Sequence, residues 1–364
     1  MKIALVHDHL IQPGGAERVL LVLARMFPNS PIYTLFYEPE TMSDIFPAAR
    51  IRTSYLQNLP FARRHYQWYL PLMPVATELY DLRGYDLVIS SASAFDKGVL
   101  IHPGTIHLCY CHTPTRYLWS DTYSYVENLP HSRLTKFTIR PILSLLRGWD
   151  MNAASRVDNF VANSQTVAER IRKYYRREST VIYPPVTINS FSIAPKTDNF
   201  YLTGGRLVNY KRFDLTVRAF SRIGLPLKIF GEGPEDANLR ALAKKNIEFL
   251  GAVSDSVKAD LYRRCIAFIH PQVEDFGITA VEAMASGRPV IAYQAGGAKE
   301  TVLPGVSGVF FEDQEWESLA DSIIRFAPEK FDPQKIRTHA EQFSETRFVR
   351  EMMELIEKLT ASGI

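Results

Sequence analysis

Short apolar runs that end in small or polar residues alternate with amphipathic stretches along the chain, and that alternation admits one class of fold. Lys2–His7 reads as a buried strand, and the loop HLIQPGGAER leads from it into an apolar-periodic helix over Ala16–Phe27. Strand, glycine loop and helix form the opening unit of a parallel α/β sheet. Further buried strands are expected at Leu87–Ser90, Ile106–Cys111, Asn159–Ala162 and Val181–Tyr183.

The series then breaks. Tyr183-Pro184-Pro185 and the polar TINSFSIAPKTDN stretch carry no helical period, and paired prolines stop both strands and helices. A second series follows at Phe200–Gly204, Leu227–Phe230, Ile247–Leu250, Ala267–His270 and Val290–Tyr293, alternating with amphipathic stretches such as Asp214–Ile223 and Asp255–Arg264. At 364 residues the chain exceeds what one core usually holds. Two α/β domains in tandem are therefore expected, residues 1–190 and 191–345, with a C-terminal helix over 346–364 returning to the first domain. Open α/β sheets bind ligands beyond the carboxyl ends of their strands, so two such sheets facing each other across a cleft should place functional residues after strands in both halves.

Composition narrows the classes. Three cysteines cannot build a disulfide framework and fit a reducing compartment, so a cytoplasmic location is expected. The N-terminal apolar run stops at His7 and Asp8, short of a signal segment, and no later run approaches the ~18 apolar residues of a spanning helix. A net charge of +3 with no recognisable module argues against nucleic acid. Two stretches, Phe61–Val75 and Arg133–Arg147, carry basic residues and no acid. Each is either a solvated or packed basic face or a surface for anionic head groups. The second reading draws on Arg63, Arg64 and His65 being interleaved with Tyr66, Trp68, Tyr69 and Leu70, and it would hold the chain against the inner membrane face.

Four segments can carry chemistry. In EDFGITAVEAMASGRPV, Glu274 lies in a strand-to-helix loop and Glu282 about one turn into the helix, with Phe276, Gly277, Ile278 and Thr279 between them. Unpaired N–H groups at a helix start suit phosphate or sugar hydroxyls, and a carboxylate beside them can take a vicinal diol; ordinary capping by Glu274, with Glu282 merely exposed, is the alternative. In GGRLVNYKRFD, Arg206 and Lys211 follow a strand and can turn toward one anion, or form a solvated basic loop. In PGGAER, Gly14 and Gly15 let backbone approach a ligand, or merely let helix pack on strand; the segment is neither a P-loop nor a dinucleotide fingerprint. In IHLCYCHTPTRYLW, His107, Cys109 and Cys111 share one face of a strand, but the spacing lacks a second cysteine pair and no metal is expected. His112 follows the end of that strand.

Together these segments resemble the retaining glycosyltransferases of the GT-B class, in particular the group-4 family that builds bacterial polysaccharides, O-chains and glycolipids. The resemblance spans nearly the whole chain and is most specific at Glu274-x7-Glu282 with EAMASGRPVIA, and at CHTPTRYLW, which is similar to a segment of polymannosyl transferases. It implies that Arg206 and Lys211 hold the donor diphosphate and Glu282 the ribose. Glu274 and the backbone from Phe276 to Thr279 would hold the sugar, and His112 its 6-position. Gly14 and Gly15 would lie near the phosphates and acceptor, and Gly251 and Val253 beside the base. The implied donor is a UDP-hexose or GDP-mannose with no metal or other cofactor, and the implied acceptor a lipid-linked saccharide. A covalent route would need a carboxylate on the opposite face of the sugar, for which Asp96 is the nearest candidate. A nucleotide-sugar epimerase of the same architecture and a non-catalytic nucleotide-sugar-binding subunit are the rival readings.

Overall fold

The structure is a computed structural model that describes residues 1–128 and 133–361. The chain divides into two units, Met1–Tyr183 with Val349–Ile364, and Pro184–Phe348. The division falls on the paired prolines, seven residues before 190, because the segment after them is bonded into the second unit. Val186 N–H donates to the Phe343 carbonyl at 2.9 Å, and the Arg337 guanidinium donates to the carbonyls of Ile188 and Phe191.

In the first unit β1 (Ile3–Leu10), β2 (Ile32–Tyr37), β3 (Ile51–Thr53), β4 (Leu87–Ala92), β5 (Ile106–Cys111), β6 (Asn159–Ala162) and β7 (Ser179–Val181) form a parallel sheet in the order β3-β2-β1-β4-β5-β6-β7. In the second, β8 (Tyr201–Gly204), β9 (Leu227–Phe230), β10 (Ile247–Gly251), β11 (Phe268–His270), β12 (Val290–Tyr293) and β13 (Gly308–Phe311) form a parallel sheet in the order β10-β9-β8-β11-β12-β13. The central strands are largely apolar because helices cover both faces of a parallel sheet; all six residues of β4 are buried, Ser90 and Ser91 included. The strand expected at Val181–Tyr183 sits two residues earlier, while β2, β3 and β13 were not expected. Strand order reverses between β1 and β4 in one sheet and between β8 and β11 in the other. Loops leave in opposite directions at such a point and open a crevice beyond the strand ends.

Buried polar groups brace the first crevice. The Asp8 carboxylate, at the end of β1, accepts backbone N–H bonds from Ser93, Ala94, Phe95 and Asp96 at 2.6 to 3.0 Å, tying down the loop after β4. Beneath that loop Lys97 pairs with Asp150 at 2.5 Å, and both side chains are almost wholly buried. Asp150 also accepts from Thr115, Trp119 and Tyr175. Asp96 is fully buried, and burial together with the Asp8 charge pushes its carboxyl well above the usual range. The Asp96 side chain has no exposed surface and its Oδ1 accepts from the Thr77 hydroxyl at 3.3 Å, so it offers no open face to a sugar, which argues against it as the nucleophile of a covalent route.

Candidate functional site

The second crevice is built from the loops after β8 and β11. Gly205, at φ 134°, turns the chain out of β8 in the left-handed region. Arg206 follows, exposed and without an ion pair among the described residues. A short 3-10 turn over Asn209–Lys211 then brings the Lys211 ammonium to within 2.9 Å of Glu274 Oε1, across 63 positions of sequence. Gln272 Nε2 donates to the same carboxylate oxygen at 3.4 Å, and Gly297 N–H holds the Glu274 carbonyl at 2.8 Å. The acid is thus fixed at both backbone and side chain.

After that loop Gly277, at φ 91°, opens the helix Ile278–Ala285. The positive φ favours glycine, and a Cβ at Gly277 would also lie 3.2 Å from the ring of His270, a tight contact. Both ring nitrogens of His270, Gln272 Oε1 and Thr279 Oγ1 are buried there with no partner. Each such group costs roughly 1–3 kcal/mol until something supplies the missing bond. That concentration of unsatisfied polar atoms around one helix start marks a place prepared for a polar ligand. Burial chiefly lowers His270 to about 4, so the ring is neutral.

That depressed value has a consequence for stability. His270 is neutral in the folded unit at pH 5 but protonated in the unfolded chain below its ordinary 6.5, so its contribution is present above 6.5 and lost as pH falls toward 4. Between pH 7 and 5 the loss is about 2 kcal/mol. Urea unfolding at both pH values, for the native chain and His270→Gln, should show a pH dependence smaller by that amount in the variant; equal dependence refutes it.

Glu282 is not the exposed carboxylate of a capping reading. It is 1% exposed, with Oε1 on Lys258 at 3.2 Å and Oε2 on the Tyr262 hydroxyl at 3.1 Å. Both partners belong to the helix Asp255–Arg264, which Ser254 caps through the N–H of Val257. That helix begins after Gly251, at φ 68°, and Val253, so the loop expected beside the base leads into the helix that grips Glu282. Sequence reasoning missed Lys258, Tyr262 and His270. The spacing of Lys258 and Tyr262, four apart on one helix face, was the one available signal.

In the first unit His112 follows β5. Its Nε2 lies 2.8 Å from Ser91 Oγ, and the Nδ1 of His7 lies 2.9 Å from the Ser91 carbonyl and 3.2 Å from its hydroxyl. His7 Nε2 faces Glu17 Oε1 at 3.5 Å. Burial, then the charge of His7, lowers His112 to about 4. Gly15 starts the helix Gly15–Met26, and a side chain on Gly14 would come within 2.7 Å of Glu17 Oε2. The glycine therefore makes room for that folded-back carboxylate. His107 bonds Ser90, while Cys109 and Cys111 pack in the core beside Phe160 and Tyr175. Among the described residues no group of three His, Cys, Asp or Glu side chains is arranged to hold a metal.

The basic aromatic stretch forms a 3-10 helix over Tyr66–Leu72, with His65 stacked on Trp68 at 4.4 Å and Arg63 3.7 Å from Glu38. Phe61 and Trp68 are 68% and 65% exposed. The other basic stretch lies in the helix Arg133–Ser155, and the side chains of residues 133–138 are outside those described. No described helix is long and apolar enough to cross a membrane.

Comparison with known proteins is consistent along the chain. Residues 13–190 match the family model "Glycosyltransferase Family 4" and residues 187–343 match "Glycosyl transferases group 1". The chain is 30% identical over 178 residues to an uncharacterised glycosyltransferase of Methanocaldococcus jannaschii, covering 47% of this chain and 50% of that one. It is 30% identical over 183 residues to the O-antigen chain mannosyltransferase C of Escherichia coli, covering 45% and 48%. Both matches span about half the length of those relatives. The alpha-1,3/1,6-mannosyltransferase ALG2 of Dictyostelium discoideum aligns over 99% of this chain and 98% of its own at 23% identity. Among solved structures, HepE of Anabaena in complex with UDP-glucose superposes with a TM-score of 0.72 at 20% identity, covering 98% of this chain and all of that one. Sucrose-phosphate synthase from Thermosynechococcus elongatus gives 0.71 at 17% identity, with full coverage of both chains. These likenesses establish the fold.

Proposed function

We propose, for a chain that belongs to the GT-B glycosyltransferases matched in its two halves by those family models, that it moves a hexose from a nucleoside-diphosphate sugar to a saccharide hydroxyl, with retention and without a bound metal. The observation that carries this is the Lys211–Glu274 pair at 2.9 Å beside a helix start ringed by unsatisfied polar atoms, at the point where the second sheet reverses its strand order. A diphosphate placed at that helix start meets free N–H groups and the positive end of the dipole. Arg206 and Lys211 add the cationic charge that a divalent ion supplies elsewhere, and they stabilise the negative charge growing on the leaving phosphate. Glu274 accepts from the sugar hydroxyls and Glu282 from the ribose. With Asp96 sequestered, a same-face reaction in which the leaving phosphate takes the acceptor proton is favoured over a covalent intermediate.

A mannosyl donor is supported by the names of the E. coli and D. discoideum relatives, and UDP-glucose by the HepE complex. The saccharide acceptor belongs to the first unit, where His112 follows β5 and bonds Ser91 of β4, the strand beside the reversal of order. Phe61, Trp68, Arg63 and Arg64 suit an anionic membrane surface, which fits a lipid-linked acceptor.

Calorimetric titration with UDP and with GDP, with and without magnesium, tests the site. One nucleotide should bind equally in both conditions, and Glu282→Ala should weaken it about 10- to 100-fold, as expected when buried partners are left unpaired. Binding indifferent to Glu282, or none at all, would refute the assignment. Product analysis separates transfer from epimerisation, because an epimerase leaves the sugar on its nucleotide.

A further inference from the structure

We infer that Glu17, His7 and Ser91 are positioning residues that fix His112 in its Nδ1–H tautomer, so that the ring offers substrate a hydrogen-bond donor and not an acceptor. The inference deepens the reading of the first unit given above and names a role for residues to which no sequence motif pointed.

The argument is one of elimination along a chain of contacts. A backbone carbonyl only accepts, so the His7 Nδ1 that lies 2.9 Å from the Ser91 carbonyl carries a hydrogen. That same N–H leans on Ser91 Oγ at 3.2 Å, so the hydroxyl oxygen acts as an acceptor toward His7. Ser91 is fully buried, and its own hydroxyl hydrogen therefore needs an acceptor within the protein. The remaining group in reach is His112 Nε2 at 2.8 Å. Ser91 then donates, His112 Nε2 accepts, and the ring hydrogen sits on Nδ1.

The other end of the chain sets the direction. His7 Nε2 faces the Glu17 carboxylate at 3.5 Å, which holds the ring in the plane that keeps Nδ1 on Ser91. Burial opposes a charge on Glu17, but the hydrogen bond and charge of His7 outweigh it and hold that carboxyl below its usual range. Gly14 leaves room for the carboxylate to fold back. His112 itself is anchored at the backbone, its N–H on the Ala92 carbonyl and its carbonyl on Asn163 Nδ2, both at 2.9 Å. Its Nδ1 makes no hydrogen bond to the described residues and is not among the buried unsatisfied atoms, so the N–H is open to a ligand.

The test is long-range proton–nitrogen NMR of the whole protein labelled in histidine, with the His112 signals assigned by their loss in His112→Gln. The expected spectrum shows His112 protonated at Nδ1 in the native chain, and a shift toward the Nε2–H form in Ser91→Ala. An Nε2–H His112 in the native chain overturns the inference without any variant. So does a Ser91→Ala spectrum unchanged from native, with the urea unfolding midpoint read by Trp119 fluorescence, in the same unit, retained as the control for folding. The tautomer is read without turnover, so its outcome is independent of whether the chain proves to be a transferase. In the transfer assay Ser91→Ala and Glu17→Gln should lower kcat by roughly tenfold with the donor KM unchanged.

Discussion

Replacing Lys211 by methionine is expected to lower kcat for sugar transfer by about two to three orders of magnitude. That is the usual effect of removing one preorganised group from the site of developing charge. The substitution acts twice. It removes a cation from the helix start, and it strips Glu274 of the partner at 2.9 Å that holds its carboxylate. Arg206→Ala removes a guanidinium that already stands in solvent, so its loss leaves no buried group unpaired and should fall on catalysis and diphosphate binding rather than on folding. The double variant should fall at least as far as the worse single one, and by less than the product of the two, because both cations face one diphosphate. Transfer of a labelled hexose from the nucleotide identified by titration measures this. A Lys211→Met variant within threefold of the native rate would mean that the β8 and β11 loops do not hold the leaving group.

The second large effect concerns stability. Lys97→Met should destabilise the first unit by about 3–5 kcal/mol, because it leaves the Asp150 carboxylate charged in a fully buried site. Against a domain stability of ~5–15 kcal/mol the loss approaches unfolding. With a urea slope of ~2 kcal/mol per molar, the midpoint should move down by about 2 M. Trp119 donates its indole N–H to Asp150 at 2.8 Å, so its fluorescence reports on the very site altered. Removing both charges in Lys97→Met with Asp150→Leu should recover part of the loss, although Trp119 and Tyr175 then lose the carboxylate they donate to. If the single variant unfolds at the native midpoint, the ion pair contributes nothing net and this account of the loop is wrong.

How far these features could be read in the chain depended on whether they were local. The strands Ile106–Cys111, Asn159–Ala162, Leu227–Phe230 and Val290–Tyr293 stand where apolar runs place them, because a strand buried on both faces writes its own boundaries. β3 has one buried residue in three, β13 opens on a glycine, and β2 carries Thr34 inside a run set between prolines, so none of the three writes such a run. The charges at Arg206, Lys211 and Glu274 were legible as strand-end residues of opposite sign. The grip of Lys258 and Tyr262 on Glu282 was not, since it depends on how two helices pack. Likewise the His7–Ser91–His112 chain exists only because β1, β4 and β5 are neighbours, and strand order is a property of the whole sheet that no segment encodes.

The three cysteines, finally, give the molecule a clock of its own. Cys109 and Cys111 lie in the core of the first unit and Cys265 in that of the second, all buried, and burial pushes the thiols of Cys109 and Cys265 up to about 12. A buried thiol held in its protonated form does not react with an alkylating agent. Each residue becomes available only when its own unit opens. Mass spectrometry of the native protein in such a reagent would therefore time the breathing of the two halves separately, with no substitution introduced.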